Sequence, residues 1–321
     1  MYKRQFLLRA LKDDPLNQGS HGNDPALHWP RVRETARSQG LAGLLFTRLD
    51  RSELRPRAGR GLEQDYRKTA ARNLIHLTAL EKLEEHLNRE EIHVLALKGI
   101  SLLDRVYPGL GMRPMVDMDL MIHPEDRQRF EGMLLGLGYL PDPAFPHIFR
   151  KGGVAVDLHI HALNADRIRA RRALFPTGMD PLWTRAMPWK PGFRFLRRPD
   201  DVDNVLLLVQ HLMKHSFSRL IWIMDVYLIL RAHGDSFQAG LARRAVFLGQ
   251  WRPLCYALYL LDGLLAFRPS DPRLKGLFTR ISPLERGLLD LVVGGHTGYP
   301  VGPILAFLCI RGTGPRLRYA W

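Results

Sequence analysis

Two spacings of apolar residues divide the chain. Between residues 62 and 90, Leu74, Leu77, Leu80, Leu83 and Leu87 recur at helical intervals, which predicts a long helix packed on the core. Directly after it the pattern shortens to Val94-Leu95-Ala96-Leu97, an apolar run of strand length. Two further stretches alternate with period two, Val116 to Ile122 and Val154 to His161. Between them Pro124 stands where helices start and Gly138 where they stop, and Lys151-Gly152-Gly153 reads as a hairpin turn. Residues 100–107 read as a helix after the first strand. Upstream, helices are expected over 5–11 and 29–49, separated by a Gly/Asn/Asp/Pro-rich linker at 17–25. A Pro-rich stretch at 176–199 reads as a linker or surface excursion. Beyond it, helices are expected over 203–215, 220–233, 239–267 and 283–293. The pattern predicts an α+β chain in three parts: an N-terminal helical region at 1–90, an α/β core at 91–175 and a C-terminal helical region at 200–321.

Composition narrows the setting. At 321 residues the chain is long enough to bury a sizeable core. Its two cysteines, Cys255 and Cys309, form no Cys-x-x-Cys pair, which argues against a zinc ribbon or a disulfide framework and fits a reducing cytoplasm. The apolar N-terminal stretch is broken by Arg9 and Lys12, and 301–310 is about half a membrane span, so a soluble cytoplasmic protein is expected. The formal net charge of +15 attracts anions. Its arginines cluster at 167–172, 190–198 and 311–318, but no aromatic platform, zinc finger or glycine-rich RNA loop accompanies them.

The chemistry concentrates in Arg113-Pro114-Met115-Val116-Asp117-Met118-Asp119-Leu120. On a strand, Asp117 and Asp119 share one face while Val116, Met118, Leu120 and Ile122 fill the other. Two carboxylates so placed suit hard divalent cations, which take oxygen ligands. A third acid is best supplied by Asp157, which alternation sets with His159 and His161 opposite Val156, Leu158 and Ile160. Asp142 and Asp166 lie in less regular stretches. If the three carboxylates converge, their repulsion should raise at least one pKa. Lys98-Gly99, at the end of the first strand, could admit a phosphate close to backbone N–H groups. His211 and His215 have an i, i+4 spacing, but Leu212 stands where a zinc protease needs its glutamate. Asp225 interrupts an apolar helix and needs a partner, either an ion pair with Lys214 or Arg219 or a place in the cleft. His159 and His161 either line that cleft or sit on the wet side of a sheet.

Leu97-Lys98-Gly99, Tyr107-Pro108, the run through Asp117 and Asp119, Gly138-Tyr139, Val156-Asp157-Leu158-His159 and Arg219 to Asp225 together resemble the uncharacterised nucleotidyltransferases of the polymerase-β-like superfamily, over roughly residues 30 to 235. The resemblance implies a polymerase-β-like core, a small mixed sheet with helices, flanked by N- and C-terminal helical regions. It implies that Asp117, Asp119 and Asp157 hold two Mg²⁺ (or Mn²⁺) ions and act in catalysis, with a nucleoside triphosphate (NTP, such as ATP) as substrate. Lys98 and Gly99 stand where the wider superfamily has Gly-Ser or Gly-Gly, a departure that the narrower family shares. Lys98, Gly99 and Arg113 are the phosphate-side candidates, with His159 and Asp225 as further ligand-binding candidates. The expected reaction moves a nucleoside monophosphate onto a hydroxyl of a small molecule or protein, rather than nucleic acid, and releases pyrophosphate. The competing expectations are a non-catalytic or toxin–antitoxin-like regulator retaining the fold, and an RNA-end transferase.

Overall fold

In a computed structural model, residues 7, 28–49, 55–175, 177–278, 280–296 and 300–310 are described. The expected helix at 5–11, apart from Leu7, the linker at 17–25 and the arginines at 311–318 lie outside them. Seven strands form one mixed sheet: β1 (Val94–Leu97), β2 (Met118–Ile122), β3 (Leu140–Pro141), β4 (Ile148–Lys151), β5 (Val154–His159), β6 (Met187–Pro188) and β7 (Leu196–Arg198), in the order β3-β4-β5-β2-β1-β7-β6. The pairs β2/β5 and β1/β7 are parallel and the remaining pairs antiparallel. The Gly152 and Gly153 turn closes the β4–β5 hairpin, both glycines at positive φ.

The helices before the sheet are α1 (Trp29–Ser38), α2 (Ala42–Leu49) and α3 (Arg55–Glu90). The expected helix at 29–49 is two, divided at Gly40, whose φ is +75°. Within the core lie α4 (Arg127–Gly136), ended by Gly138 at φ +81°, and α5 (Asp180–Arg185). The C-terminal helices are α6 (Asp201–Lys214), α7 (Leu220–Ala232), α8 (Asp235–Phe247), α9 (Trp251–Leu265), α10 (Pro272–Phe278), α11 (Pro283–Val293) and α12 (Val301–Cys309). The single helix expected over 239–267 is divided at Gly249, whose φ is +69°.

The central strands β1, β2 and β5 are buried on both faces, and this decides where the acids can lie. One face carries Met118, Leu120, Ile122, Val156 and Leu158 against Leu80, Leu83 and Leu87 of α3 and Phe130 of α4. Leu95, Leu97 and Met121 point the other way, into the core shared with α1, α2 and the C-terminal helices. Asp119 is two residues from Met121 and pairs with Leu97, so alternation turns it toward that second layer.

The Pro-rich segment is a correction to the linker reading. It supplies α5 and two strands, because Glu84 of α3, only 8% exposed, accepts hydrogen bonds from the backbone N–H groups of Arg194 (2.7 Å), Phe195 (3.3 Å) and Leu196 (2.7 Å). A buried carboxylate with three such donors fixes a strand that short apolar patterning does not announce. Residues 100–107 also differ from expectation: a 3-10 turn covers only Ile100–Leu102, and Asp104 at φ +61° ends the helical path.

Candidate metal and phosphate site

Parallel pairing of β2 with β5 sets Asp119 opposite Asp157 and Met121 opposite His159. One carboxylate oxygen from each aspartate and one ring nitrogen of His159 therefore lie within 4.8 Å of one another. His159 Nε2 is 2.8 Å from Asp119 Oδ1 and 3.1 Å from Asp157 Oδ2, and the ring is fully buried. Its Nδ1 lies 2.6 Å from Asn164 Oδ1, which can only accept, so Nδ1 carries a proton. Asn164 sits at φ +56°, a conformation asparagine tolerates better than most residues, in the turn after β5. It was not legible as a site residue.

Lys98 completes the cluster from the end of β1, forming an ion pair with Asp119 Oδ1. Burial works against charge on Asp119, but Lys98 and His159 more than offset it and hold the carboxyl well below the usual range. Asp157 is held low in the same way, by its hydrogen bond from His159 against the effect of burial. Burial and Lys98 disfavour the imidazolium of His159, yet its bonds to the two aspartates raise its pKa overall.

Asp117 lies one residue before β2, at a bend, and outside the close Asp119–Asp157–His159 group. Burial, then Asp119 and Asp157, push its carboxyl up to about 6. The repulsion expected of three converging acids thus falls on the residue with least access to Lys98 and His159. Val116, expected on the apolar face, is 68% exposed, because the strand begins only at Met118. His161 lies past the end of β5, its Nδ1 accepting from the Leu163 N–H at 3.1 Å. Burial lowers its pKa to about 4.

Two phosphate-side expectations change. Arg113 is 5% exposed and its Nε and Nη2 donate to Asp225 Oδ1 and Oδ2 at 2.8 and 2.7 Å. Tyr107 adds its hydroxyl to Asp225 Oδ1 at 2.6 Å. Asp225 is fully buried, and its partner is Arg113 rather than Lys214 or Arg219. A buried charge requires a matched partner, and this bidentate pair engages both residues with each other instead of with a ligand. Asn73 of α3 holds the same loop by donating to the carbonyls of Leu110 (2.7 Å) and Arg113 (2.8 Å). Gly99 has an ordinary φ of −50°, so a glycine is needed there for space: a Cβ would strike Arg113 Nη1. That space is filled by the guanidinium, and the 3-10 turn behind it is too short to act as a helix terminus.

The donor set fits a divalent cation. Two carboxylates and an imidazole converge, Lys98 offsets part of their charge, and Asp157 Oδ1 is buried without a hydrogen-bond partner. His147 Nε2 and Arg167 Nη1 lie near that oxygen, at 3.9 and 3.8 Å, and burial and Arg167 favour the neutral form of His147. Both residues also line an open crevice of about 500 Å³ with Pro124, Pro146 and Ile160.

No helix among the described residues is long and apolar enough to cross a membrane. Neither a curated protein nor a solved structure matches the chain. One family model does match, described as an uncharacterised nucleotidyltransferase, and it covers residues 25–266. That span takes in β1, the paired acids of β2 and β5, and helices α6 and α7, and on this match the chain belongs to the uncharacterised nucleotidyltransferase family.

Proposed function

We propose that the protein is a metal-dependent enzyme that transfers a nucleoside monophosphate from an NTP to a hydroxyl acceptor, releasing pyrophosphate. The observation that carries this reading is the in-register Asp119–Asp157 pair with His159 between them. Asp117, Asp119, Asp157 and His159 would hold Mg²⁺ or Mn²⁺. Such ions stabilise the charge that develops on the attacking and leaving oxygens of an in-line displacement. Asn164 fixes the His159 tautomer so that Nε2 is the nitrogen offered, as in metal sites whose histidine is oriented through its other ring nitrogen. Lys98 exchanges its contact with Asp119 for one with a phosphate oxygen. The unpartnered Oδ1 of Asp157 takes the acceptor's proton, and the crevice beside His147 and Arg167 is where the acceptor approaches.

The acceptor we favour is a small molecule or a protein hydroxyl. Of the four arginines at 167–172, Arg167 donates to the Leu158 carbonyl and Arg171 to that of Leu163 at 3.3 Å. These inward bonds leave less of a row for tracking an RNA backbone.

Nucleotide binding should require the ion, and should favour Mn²⁺ over Mg²⁺, because an imidazole nitrogen suits Mn²⁺ better than the oxygen-seeking Mg²⁺. Affinity should rise with pH. Asp117, raised to about 6, must lose its proton to hold a cation, and His159, also raised, must release the one on Nε2. Titration calorimetry with each NTP between pH 5 and 8, with Mn²⁺, Mg²⁺ or chelator, measures this. Undiminished binding in chelator would contradict the proposal.

A further inference from the structure

The apolar surface of α3 extends beyond what the sheet covers. Leu77, Leu80, Leu83 and Leu87 are buried, but Leu74, one turn earlier in the same series, is 55% exposed, and Ile75 beside it is 49% exposed. Both line an open groove of about 540 Å³, whose other wall comes from the chain after α4 and from the β4–β5 hairpin, with Leu137, Tyr139 and Val154. Val154 shares its face with Val156 and Leu158, so the groove lies on the α3 side of the sheet, across from Asp119 and Asp157. The metal set and the crevice beside His147 and Arg167 use none of these residues.

The charges in the groove have one sign. Its α3 wall runs from Leu74 to His86, about 18 Å at the ordinary helical rise, with the apolar side chains at one end and Lys82 and His86 at the other. Lys151 adds a second ammonium from the hairpin, donating to the Leu137 carbonyl at 2.6 Å and lying 5.8 Å from the Tyr139 ring centre. Among the described residues, no aspartate or glutamate lines the groove, and the side chains of Lys82 and His86 have no hydrogen bond or ion pair. Two acids nearby on α3 are engaged elsewhere, Glu81 with Lys190 at 2.6 Å and Glu84 with the backbone of β7. Exposed large apolar side chains leading to an unpaired ammonium suit a ligand that is apolar along its length and anionic at one end. The volume lies within the range of small-molecule sites, about 300–1,000 Å³. One unengaged ammonium matches the single charge of a carboxylate, whereas a phosphate monoester carries about −1.5 to −2.

We propose that this groove is a second ligand site, for a chain-like carboxylate of the fatty-acid type, whose apolar tail lies along Leu74 and Ile75 and whose head meets Lys82, with Lys151 on the facing wall. The inference does not depend on the transferase reading. Calorimetry with dodecanoate, and with dodecyltrimethylammonium as its cationic counterpart, tests it on the full chain and on Lys82→Met, Ile75→Glu and Phe247→Glu. Ile75 and Phe247 are exposed, so neither new charge should unfold the chain, and Phe247, at the end of α8 and outside the groove, is the control. Dodecanoate should saturate one site per chain. Lys82→Met should weaken it about fivefold, the upper end for a solvent-exposed ion pair. Ile75→Glu should weaken it about tenfold or more, because a charge is then set against the tail. Phe247→Glu should bind as the wild type does, and the cationic amphiphile should not saturate the site. Equal binding by wild type and Ile75→Glu overturns the inference, as does the absence of saturable dodecanoate binding. Equal uptake of the cationic amphiphile, or an equal loss in Phe247→Glu, also overturns it, because adsorption to any apolar surface would then explain the binding. A wild type that self-associates in sedimentation, with Ile75→Glu monomeric and dodecanoate without effect, would make the groove an interface between copies and overturn the assignment too.

Discussion

Asp119→Asn should give a folded protein that transfers nucleotide at least about a hundredfold more slowly, equivalent to some 3 kcal/mol of lost transition-state stabilisation. The substitution changes almost no volume but removes the negative charge that both Lys98 and His159 engage. Lys98 and the His159 ring then face a neutral amide, so metal affinity should fall together with the rate. Circular dichroism, Mn²⁺ titration and a transfer assay on the same preparation separate the effects. A folded Asp119→Asn variant with near-normal transfer would remove Asp119 from the catalytic set.

The largest effect on stability is expected at Asp225. Asp225→Asn leaves Arg113 buried with an uncompensated charge, and breaking a buried pair from one side costs about 3–5 kcal/mol. In a chain of this size that corresponds to a fall in Tm of about 4–7 °C. The pair ties the loop before β2 to α7, so the Asp117 bend should loosen with it. Replacing both members, Arg113→Met with Asp225→Leu, removes the unpaired charge and should recover much of the loss. Thermal melts of the single and double variants decide the matter: a double variant no better than the single would show that packing, not charge, sets the cost.

How much of this was legible in the sequence depends on the distance over which each feature is built. Asp119 and Asp157 could be placed together because strand alternation is local and a parallel pairing preserves faces. Asp117 escaped that logic, since the strand stops one residue short of it. The Arg113–Asp225 pair joins residues 112 apart, and no local pattern distinguishes an arginine that meets a phosphate from one that meets a buried aspartate. Strand β7 was hidden because its place is set by Glu84, more than a hundred residues earlier, rather than by its own three residues. Likewise, the spacing of His211 and His215 favours structural or substrate-contacting histidines over zinc without showing what they pack on, whereas the fold turns both rings against Trp222 and sets Lys214 beside Lys98. The family match to residues 25–266 agrees with the resemblance read from the motifs, and the mixed sheet flanked by helices agrees with the fold class expected from them.

The most direct test of the central claim follows the phosphates. The protein is incubated with Mn²⁺, a cell extract and each NTP, labelled in one series at the α-phosphate and in another at the γ-phosphate. The account predicts that α-label becomes attached to an acceptor, that γ-label appears only in released pyrophosphate, and that Asp119→Asn does neither. Transfer of γ-label to an acceptor, or tight metal-dependent binding of the nucleotide with no α-label transferred to any component of the extract, would contradict it.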